Sequence, residues 1–549
     1  MSKLKIQLSQ INSTAGDLEG NCQKILQQFK QASEANCDLV IFPEMTICGY
    51  PCQDLWQKKY FIDAVKEKVL EILKITQDSK CAILLGAPIS VINRSNQEVI
   101  FNSALLIENG EIKKIINKKT LANRGVFDEV RYFKADNAIS LIEFRGQTLA
   151  ILICEDLWDS KNLFLLREQI FDNLIVINAS PYSRSKYQQR HKICQNFCQT
   201  LTKSLLYINQ VGGQDSLVFD GSSLVMNSEG ITVLQMAEFA EDSAIIELSK
   251  TGKVSLTKTK NYQLSNQTSR DYQAIILGLR DYVKKNGFEK VVIGMSGGID
   301  SALTATIAVD AFSYENVMLY ALPSRFNPQS SMIDAKECAE NLGINLQTIS
   351  IEMAFSSMLI SLGNISALAK ENLQARIRGN ILMAISNDSG ALLLTTGNKS
   401  ELACGYSTLY GDMCGAFNPI KDLYKSEIYQ LANWRNQNVP QISLYQNKNL
   451  IPQNIITKAP SAELREDQKD SDSLPEYEIL DKILFALIEE QKSISEIIAS
   501  GFAKDLVKKV AKLFYGSEYK RQQSCLGPKI SDLAFDKDRR YPITNKFII

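Results

Sequence analysis

Histidine is almost absent from this chain of 549 residues, which contains only His191. Any mechanism that pairs a cysteine or serine with a histidine base must use that one residue, and a metal site with several histidines is excluded. His191, Cys194 and Cys198 are spaced so that they fall along one face of a helix, which makes a zinc site conceivable. Because no fourth ligand is evident, buried and inert cysteines beside a solvated histidine are the favoured interpretation.

Net charge, basic runs and long apolar runs are also lacking. Lysine plus arginine and aspartate plus glutamate both number 61, so the composition offers no electrostatic case for nucleic acid or an anionic membrane as a partner. Residues 1–7 do not have the apolar stretch of a signal peptide, and no window approaches the ~18 apolar residues of a membrane span. Twelve cysteines without short paired spacings fit reduced thiols. We therefore expect a cytoplasmic protein that has neither a nucleic-acid nor a membrane partner.

The chain is too long for one hydrophobic core, and its pattern changes along its length. Residues 1–250 alternate short strands with helices, whereas residues 269–549 have longer helices and fewer strands. The strands of the later part are expected near Val291, Met318, Leu346 and Leu392. Residues 251–268 are polar and weakly periodic, which predicts a linker. We predict an α/β protein of two domains, the second being a doubly wound parallel sheet.

The most informative motif is Ser-Gly-Gly-Ile-Asp-Ser at residues 296–301, between a predicted strand and a predicted helix. A glycine turn with hydroxyls at a helix start presents N–H groups to a phosphate, and its aspartate can hold Mg²⁺ on the same phosphates. The Gly-Lys-Ser/Thr of a Walker loop is absent, which argues against γ-phosphate transfer. The alternative is a plain turn. The motif resembles the loop of pyrophosphatase-type ATP enzymes, which implies adenylation of the substrate with release of pyrophosphate.

Three residues of the first part, Glu44, Lys118 and Cys154, each follow an apolar strand segment. Parallel strands place such residues at one edge of a sheet. A lysine lowers the pKa of a nearby thiol, a glutamate can take its proton, and the lysine can stabilise an oxyanion. Taken singly, a cysteine after a strand is usually a core residue and such a lysine is usually solvated.

As a set, these three residues resemble the Glu-Lys-Cys triad of the nitrilase superfamily. The resemblance covers residues 1–250 and implies an αββα sandwich. Residues 153–158 are similar to the glutamine-hydrolysing branch of that superfamily. The resemblance implies glutamine contacts at Arg124, Glu155, Ser180 and Lys186, although residues 121–124 lack the proline and tyrosine that the family usually has there.

Further motifs follow in the second part at residues 371–380, 395–401, 410–412, 458–465, 519–521 and 538–543. Together with the glycine loop and the nitrilase-like part, they resemble glutamine-dependent NAD synthetases over nearly the whole chain. The resemblance implies contacts to ATP at Gly294, Met295, Ser296, Gly297, Gly298, Ile299, Asp300, Ser301 and Thr396. It implies contacts to deamido-NAD at Asn372, Arg376, Glu401, Lys425 and Lys520. Asp300 and Glu401 would be the acids near Mg²⁺.

The implied reaction joins two steps. Cys154 releases ammonia from glutamine, and the second domain adenylates deamido-NAD with ATP, after which ammonia displaces AMP to give NAD. The family resemblance also implies an ammonia passage and a homo-oligomer, at least a dimer, that pairs through the synthetase domain. Two alternatives remain open: another glutamine-fed, ATP-dependent amidation, and a nitrilase-type amidase whose second half senses nucleotides without catalysis.

Overall fold

The computed structural model describes residues 3–257, 259–466 and 468–546 of the chain. It divides after Ser265 into two compact units, each with its own core. Residues 251–265 of the predicted linker belong to the first unit, where Val254–Leu256 forms an edge strand. Among the described helices, none has the length and apolar character needed to cross a membrane.

The first unit contains two mixed sheets and four α-helices. Its strands are β1 (Lys3–Gln10), β2 (Leu39–Ile41), β3 (Ala82–Ile92), β4 (Glu98–Glu108), β5 (Glu111–Asn117), β6 (Ser140–Phe144), β7 (Gln147–Ile153), β8 (Asn173–Asn178), β9 (Ser204–Asn209), β10 (Val211–Gln214), β11 (Leu217–Asp220), β12 (Leu224–Met226), β13 (Thr232–Gln235), β14 (Asp242–Ser249) and β15 (Val254–Leu256). Its helices are α1 (Leu18–Glu34), α2 (Lys59–Thr76), α3 (Ser160–Arg167) and α4 (Lys186–Leu201). The sheet orders are β15-β14-β1-β2-β3-β4-β5 and β13-β12-β9-β8-β7-β6, with β10 and β11 as a separate pair.

The two large sheets pack face to face and carry helices on their outer faces. The inner core joins Ile6 and Ile41 of the first sheet to Ile151 of the second. On the outside, α1 and α2 cover the first sheet, whereas α3 and α4 cover the second. Helix α1 buries Cys22, Ile25, Phe29 and Ala32 at helical spacing. The predicted αββα sandwich is therefore confirmed.

The second unit is built on a four-stranded sheet. Its strands are β16 (Val291–Gly294), β17 (Val317–Ala321), β18 (Gln347–Thr348) and β19 (Leu392–Leu394), in the order β18-β17-β16-β19. Its helices are α5 (Gln267–Lys285), α6 (Ile299–Phe312), α7 (Gln329–Asn341), α8 (Glu352–Leu362), α9 (Ala367–Ser389), α10 (Lys399–Cys404), α11 (Lys425–Gln437), α12 (Gln453–Thr457), α13 (Tyr477–Ile488), α14 (Ile494–Ala499), α15 (Lys504–Gly516) and α16 (Glu518–Arg521).

All pairings in this sheet are parallel, and helices cover it as the sequence predicts. Leu382 and Met383 of α9 pack on Val292, while α6 contacts β16 and β17. Helices α10, α13, α14 and α15 form a further apolar cluster beside the sheet.

Candidate active sites

The three predicted catalytic residues of the first unit lie at strand ends. Glu44 comes shortly after β2, Lys118 directly follows β5, and Cys154 directly follows β7. β2 and β5 run in the same direction, because β3 is parallel to β2 and two antiparallel pairings lead from β3 to β5. Cys154 has a φ of +48° and begins a short 3₁₀ turn, Cys154–Leu157. Such a left-handed backbone is uncommon outside glycine and is typical of functional sites.

Lys118 is the centre of a buried ion cluster. Its Nζ lies 2.8 Å from Glu44 Oε1 and 2.8 Å from Glu129 Oε2. Asn102 Nδ2 donates to Glu44 Oε1 at 2.6 Å and to Glu129 Oε1 at 3.2 Å. All four side chains are buried. The sequence analysis predicted Glu44 and Lys118 here but missed Glu129 and Asn102.

Each carboxylate of this cluster has further fixed partners. Glu129 accepts hydrogen bonds from Tyr50 Oη at 3.2 Å and from Ala122 N at 2.8 Å. The second oxygen of Glu44 accepts from Ala179 N at 2.9 Å. Burial raises the pKa of Glu129 even though the Lys118 ammonium lowers it. The arrangement is rigid, because nearly every oxygen and donor in it is paired.

The site holds a protonated lysine beside a resting thiol. Burial alone would lower the pKa of Lys118, but the charges of Glu129 and Glu44 leave it raised well above its usual value. Burial raises the pKa of the Cys154 thiol well above its usual value, and Glu44 adds to this effect. Lys118 does lower the thiol pKa, as expected from the sequence, but burial outweighs it. A thiol in these surroundings needs a base to become a nucleophile.

Three of the predicted glutamine contacts gather around Trp158. Lys186 Nζ lies 3.7 Å from the Trp158 ring centroid, and the Arg124 guanidinium carbon lies 5.7 Å from it. Arg124 also forms an ion pair of 3.2 Å with Glu155. Burial lowers the pKa of Lys186 to about 8. An ammonium group held over an aromatic face is suited to receive an anionic group.

The fourth predicted contact, Ser180, lies next to the base. It directly follows Ala179, whose N–H binds Glu44. Ser180 is buried, and its own N–H donates to Asn209 Oδ1 at 2.9 Å. The structure therefore places Ser180 on the same backbone segment that fixes Glu44.

His191 lies on α4, and its hydrogen-bond partner there is a threonine. Its Nε2 is 3.1 Å from Thr232 Oγ1, and burial lowers its pKa. Cys194 and Cys198 are buried on the same helix. In the part of the chain that the structure describes, no three His, Cys, Asp or Glu side chains are grouped so that they could hold a metal ion.

The predicted phosphate loop of the second unit is tightly ordered. Ser296 Oγ and Ser301 Oγ are 3.1 Å apart, and Ser301 Oγ donates to Gly298 O at 3.0 Å. Gly297 has a φ of +80°, and a Cβ there would lie 2.2 Å from Ser331 O. Only glycine fits this position. The turn leads into α6, whose first turn has no side-chain cap, so its N–H groups can bind an anion.

The other residues predicted to bind ATP lie at the same edge of the sheet. Gly294 ends β16, and Met295 N donates to Tyr320 O at 2.8 Å. Ile299 opens α6. Thr396 follows β19, the parallel neighbour of β16, and is half-buried. Carboxyl ends of parallel strands are the usual ligand position in such sheets.

The two predicted metal-binding acids lie on either side of one lysine. Lys425 Nζ contacts Asp300 Oδ2 and lies 3.8 Å from Glu401 Oε1. Asn398 Nδ2 donates to the other oxygen of Asp300 at 2.9 Å. Burial raises the pKa of Glu401 well above its usual value, and the Asp300 charge adds to the shift. Burial would lower the pKa of Lys425, but the two acids raise it.

A third acid, Asp470, belongs to this group and was missed from the sequence. It is buried, and Tyr477 Oη donates to its Oδ2 at 2.9 Å. Its charge contributes to the raised pKa of Glu401, and burial raises the pKa of Asp470 itself even though Tyr477 and Lys425 lower it. The charge of Asp470 therefore adds to those of Asp300 and Glu401, so this site favours additional positive charge.

The remaining predicted contacts to deamido-NAD share one neighbour, the segment after α10. Asn372 Oδ1 accepts from Thr408 Oγ1 at 2.8 Å, and Arg376 Nε donates to Leu409 O at 3.2 Å. Lys520 Nζ donates to the carbonyls of residues 405 and 407, at 2.7 Å each. A small cavity of about 10 Å³ opens beside this segment, lined by Thr395, Gly397, Glu401, Leu402, Ser407, Asp412, Met413, Asn418, Ser524 and Cys525.

Two family models match the two units. The model for carbon-nitrogen hydrolase matches residues 5–254, and the model for NAD synthase matches residues 271–524. The glutamine-dependent NAD(+) synthetase of Acinetobacter baylyi is 40% identical over 99% of both chains. That of Thermotoga maritima is 38% identical over 100% of this chain and 99% of its own. The structure of the Acinetobacter baumannii enzyme with ADP is 37% identical, covers 99% of both chains and has a TM-score of 0.78.

Proposed function

The chain belongs to the family of glutamine-dependent NAD(+) synthetases, and from this premise we propose how its residues carry out the reaction. The enzyme is a carbon–nitrogen ligase that forms NAD by ATP-dependent amidation with nitrogen from glutamine. The assignment of catalytic residues is supported most by the buried Glu44–Lys118–Glu129 cluster. It lies in the same unit as Cys154, whose backbone has a positive φ. We propose domains at 1–250 and 269–549, and the family matches to 5–254 and 271–524 lie close to these limits. Of the intervening residues 251–268, those up to Ser265 belong to the first unit.

In the first unit, Glu44 takes the proton of the Cys154 thiol, and the thiolate attacks the carboxamide carbon of glutamine. Lys118 and the N–H of Glu155 stabilise the oxyanion, Glu44 gives the proton to the departing nitrogen, ammonia leaves, and a thioester remains. Glu44, again a carboxylate, then takes a proton from a water whose oxygen attacks the thioester, and it returns that proton to the Cys154 sulfur as glutamate is released. Lys186 and Arg124, near the Trp158 ring, and Ser180 hold the amino acid end of the substrate. The absence of any histidine from this scheme agrees with the position of His191 on α4.

In the second unit, residues 294–301 and Thr396 bind the phosphates of ATP. The nicotinate carboxylate of deamido-NAD attacks the α-phosphorus, and pyrophosphate leaves. Ammonia then attacks the acyl adenylate, and AMP leaves with formation of the amide. Asn372, Arg376, Glu401, Lys425 and Lys520 position deamido-NAD. The contacts of Asn372, Arg376 and Lys520 with the shared segment 405–409 support this role.

Mg²⁺ is part of this proposal, and the residues present fit it. Asp300 and Glu401 lie on either side of a position where Lys425 Nζ supplies the positive charge. Mg²⁺ is commonly held by one or two carboxylates, with substrate phosphates and water completing its shell. The absence of a larger metal-binding group among the described residues agrees with that arrangement. Bound there, the ion would neutralise phosphate charge as pyrophosphate leaves.

We further propose that the enzyme forms a homo-oligomer through its second unit. Helix α8 buries only Phe355, whereas Met353 is 88% exposed and Ile360 is 83% exposed. Leu362 and Leu368, at and beyond the helix end, are exposed as well. An apolar face of this kind is typical of a protein interface, and a second copy is the proposed occupant. Ile360→Asp should lower the mass measured by light scattering, whereas Ile333→Asp, at an exposed site on α7, should not. Equal masses for the native protein and both variants would contradict the proposal.

The cytoplasm is the proposed compartment. All twelve cysteines are free thiols, and ten of them are buried. Free thiols in this number are typical of a reducing compartment.

One assay tests the proposed function against its alternatives. Glutamine, ATP and deamido-NAD are incubated with the enzyme, and NAD, AMP, pyrophosphate and glutamate are measured. The proposal requires NAD, AMP and pyrophosphate in equal amounts. Glutamate without AMP would indicate an amidase with a nucleotide-sensing second half, and AMP formation with an acid other than deamido-NAD would indicate a different amidation.

A further inference from the structure

We propose that Asp156 is a positioning residue of the glutaminase site. Its carboxylate fixes the 3₁₀ turn that begins at Cys154 to the segment that carries Lys118. The inference rests on the roles proposed above for Cys154 and Lys118. Asp156 lies two residues after the nucleophile, on the 3₁₀ turn Cys154–Leu157, and its side chain is buried. Nothing in the proposed chemistry uses this carboxyl group directly.

The Asp156 carboxylate joins the two segments that present the thiol and the ammonium. Oδ1 accepts from Lys119 N at 3.0 Å and from Thr120 N at 2.6 Å, the two residues that directly follow Lys118. Oδ2 accepts from Ile153 N at 3.0 Å, the residue that directly precedes Cys154. One side chain therefore holds the residues adjacent to both catalytic groups, although β5 and β7 belong to different sheets.

A second set of contacts bridges the same two segments. Asn162 Nδ2 donates to the Asp156 carbonyl at 2.8 Å and to Thr120 Oγ1 at 3.1 Å. Thr120 Oγ1 also lies 3.3 Å from Asp159 Oδ2. Asn162 is fully buried. These contacts support the position of the Asp156 carboxylate, which itself accepts from backbone N–H groups of both segments.

The negative form of Asp156 is the one that fits its partners. Three N–H donors converge on two oxygens, and a protonated carboxyl group would place a fourth donor among them. The charge of Lys118 favours the negative form of Asp156. Two other charged side chains close by in sequence have their own partners: Glu155 is paired with Arg124, and the Lys119 ammonium donates to the carbonyl of residue 137. Burial nevertheless raises the pKa of Asp156 to about 7. The bridge therefore weakens as the pH falls through neutrality.

The expected consequence is a loss of rate rather than of affinity. The Asp156 carboxylate accepts from the backbone N–H groups of Lys119, Thr120 and Ile153, so its removal shifts the nucleophile relative to Lys118. A misplacement of about 1 Å can lower a rate about 100-fold. We expect Asp156→Asn to lower the glutaminase kcat by ~10- to 100-fold and to change KM for glutamine by less than ~3-fold.

The experiment compares three full-length variants with the native enzyme. Asp156→Asn removes the charge of the bridge, and Asp156→Glu restores a carboxylate. Asp242→Asn is the matched control, because Asp242 accepts from the N–H groups of Ala237 and Ser243 elsewhere in the same unit and burial also raises its pKa. Glutaminase kcat and KM are measured between about pH 6 and about pH 8.5, and ammonia-dependent NAD formation reports on the fold.

The inference predicts that native kcat falls as the pH drops through about 7, that Asp156→Asn has a low kcat without this fall, and that Asp156→Glu recovers part of both. Asp242→Asn should match the native enzyme. A kcat of Asp156→Asn within about 2-fold of native overturns the inference. If that variant does not fold, a native kcat that is flat between about pH 6 and about pH 8.5 overturns it. Glutaminase activity in Cys154→Ala would instead overturn the proposed function.

Discussion

Replacement of Glu129 by glutamine tests the buried ion cluster, because the substitution keeps the size of the side chain and removes its charge. Glu129 is 1% exposed and lies 2.8 Å from Lys118 Nζ. It also accepts hydrogen bonds from Asn102, Tyr50 and Ala122 N. We predict that Glu129→Gln lowers the glutaminase kcat about 100-fold and leaves ammonia-dependent NAD formation within about 2-fold of native.

The magnitude follows from the contacts that the variant loses. The charge-assisted bond with Lys118 is worth about 1.5–3 kcal/mol. The glutamine amide can accept with only one atom, so a buried donor such as Tyr50 Oη or Ala122 N loses its acceptor, which costs about 1–3 kcal/mol. Because Lys118 keeps its ion pair with Glu44, we use ~3 kcal/mol for the loss, which is the low end of the cost of breaking a buried ion pair. Expressed in kcat, this amounts to about two powers of ten.

The assay measures glutamate release and, separately, NAD formation from ammonium chloride, with thermal unfolding as a check on the fold. Glu247→Gln is the matched control, because Glu247 forms an exposed ion pair with Lys3 in the same unit. Exposed pairs are worth about 0–1 kcal/mol, so this control should keep native activity. A kcat of Glu129→Gln within about 3-fold of native would refute the reasoning that the second carboxylate holds Lys118 in its working position.

Further variants test the other assignments. Asp300→Ala and Glu401→Ala should each suppress ATP consumption with either nitrogen donor, and near-normal AMP formation with ammonia would show that the acid in question does not hold the metal. Lys186→Met should raise KM for glutamine about 10-fold. The native KM should also rise above about pH 8, because the Lys186 ammonium loses its proton there. If neither the substitution nor the pH changes KM, Lys186 does not bind glutamine. His191→Gln should change the glutaminase kcat by less than about 10-fold, and a loss above ~100-fold would revive a Cys–His mechanism.

The elements that periodicity governs were predictable from the sequence. The strands expected near Val291 and Leu392 are present, because continuous apolar runs predict strands that are buried on both faces. Val254–Leu256 lies in the predicted linker and is a strand only because it pairs with β14, a contact that a local pattern does not contain.

The same distinction, between local pattern and tertiary contact, separates the site residues that the sequence predicts from those that it does not. Glu44, Lys118 and Cys154 are marked by the strands before them, and the structure brings Glu44 and Lys118 into contact. Glu129 and Asp470 each begin a three-residue 3₁₀ turn, where an acidic residue is ordinary, and only the tertiary fold buries them. The sole local signal was that acids occur close to motif residues, which does not distinguish a buried acid from a solvated one.

The central claim is that two separate sites share one chain and that Cys154 serves only the supply of nitrogen. The most direct test is NAD formation by Cys154→Ala, measured side by side with glutamine and with ammonium chloride as the nitrogen source. We predict that the variant makes no NAD from glutamine and makes NAD from ammonia within about 2-fold of the native rate. NAD formation from glutamine, or an equal loss with both donors in a folded protein, would contradict the account.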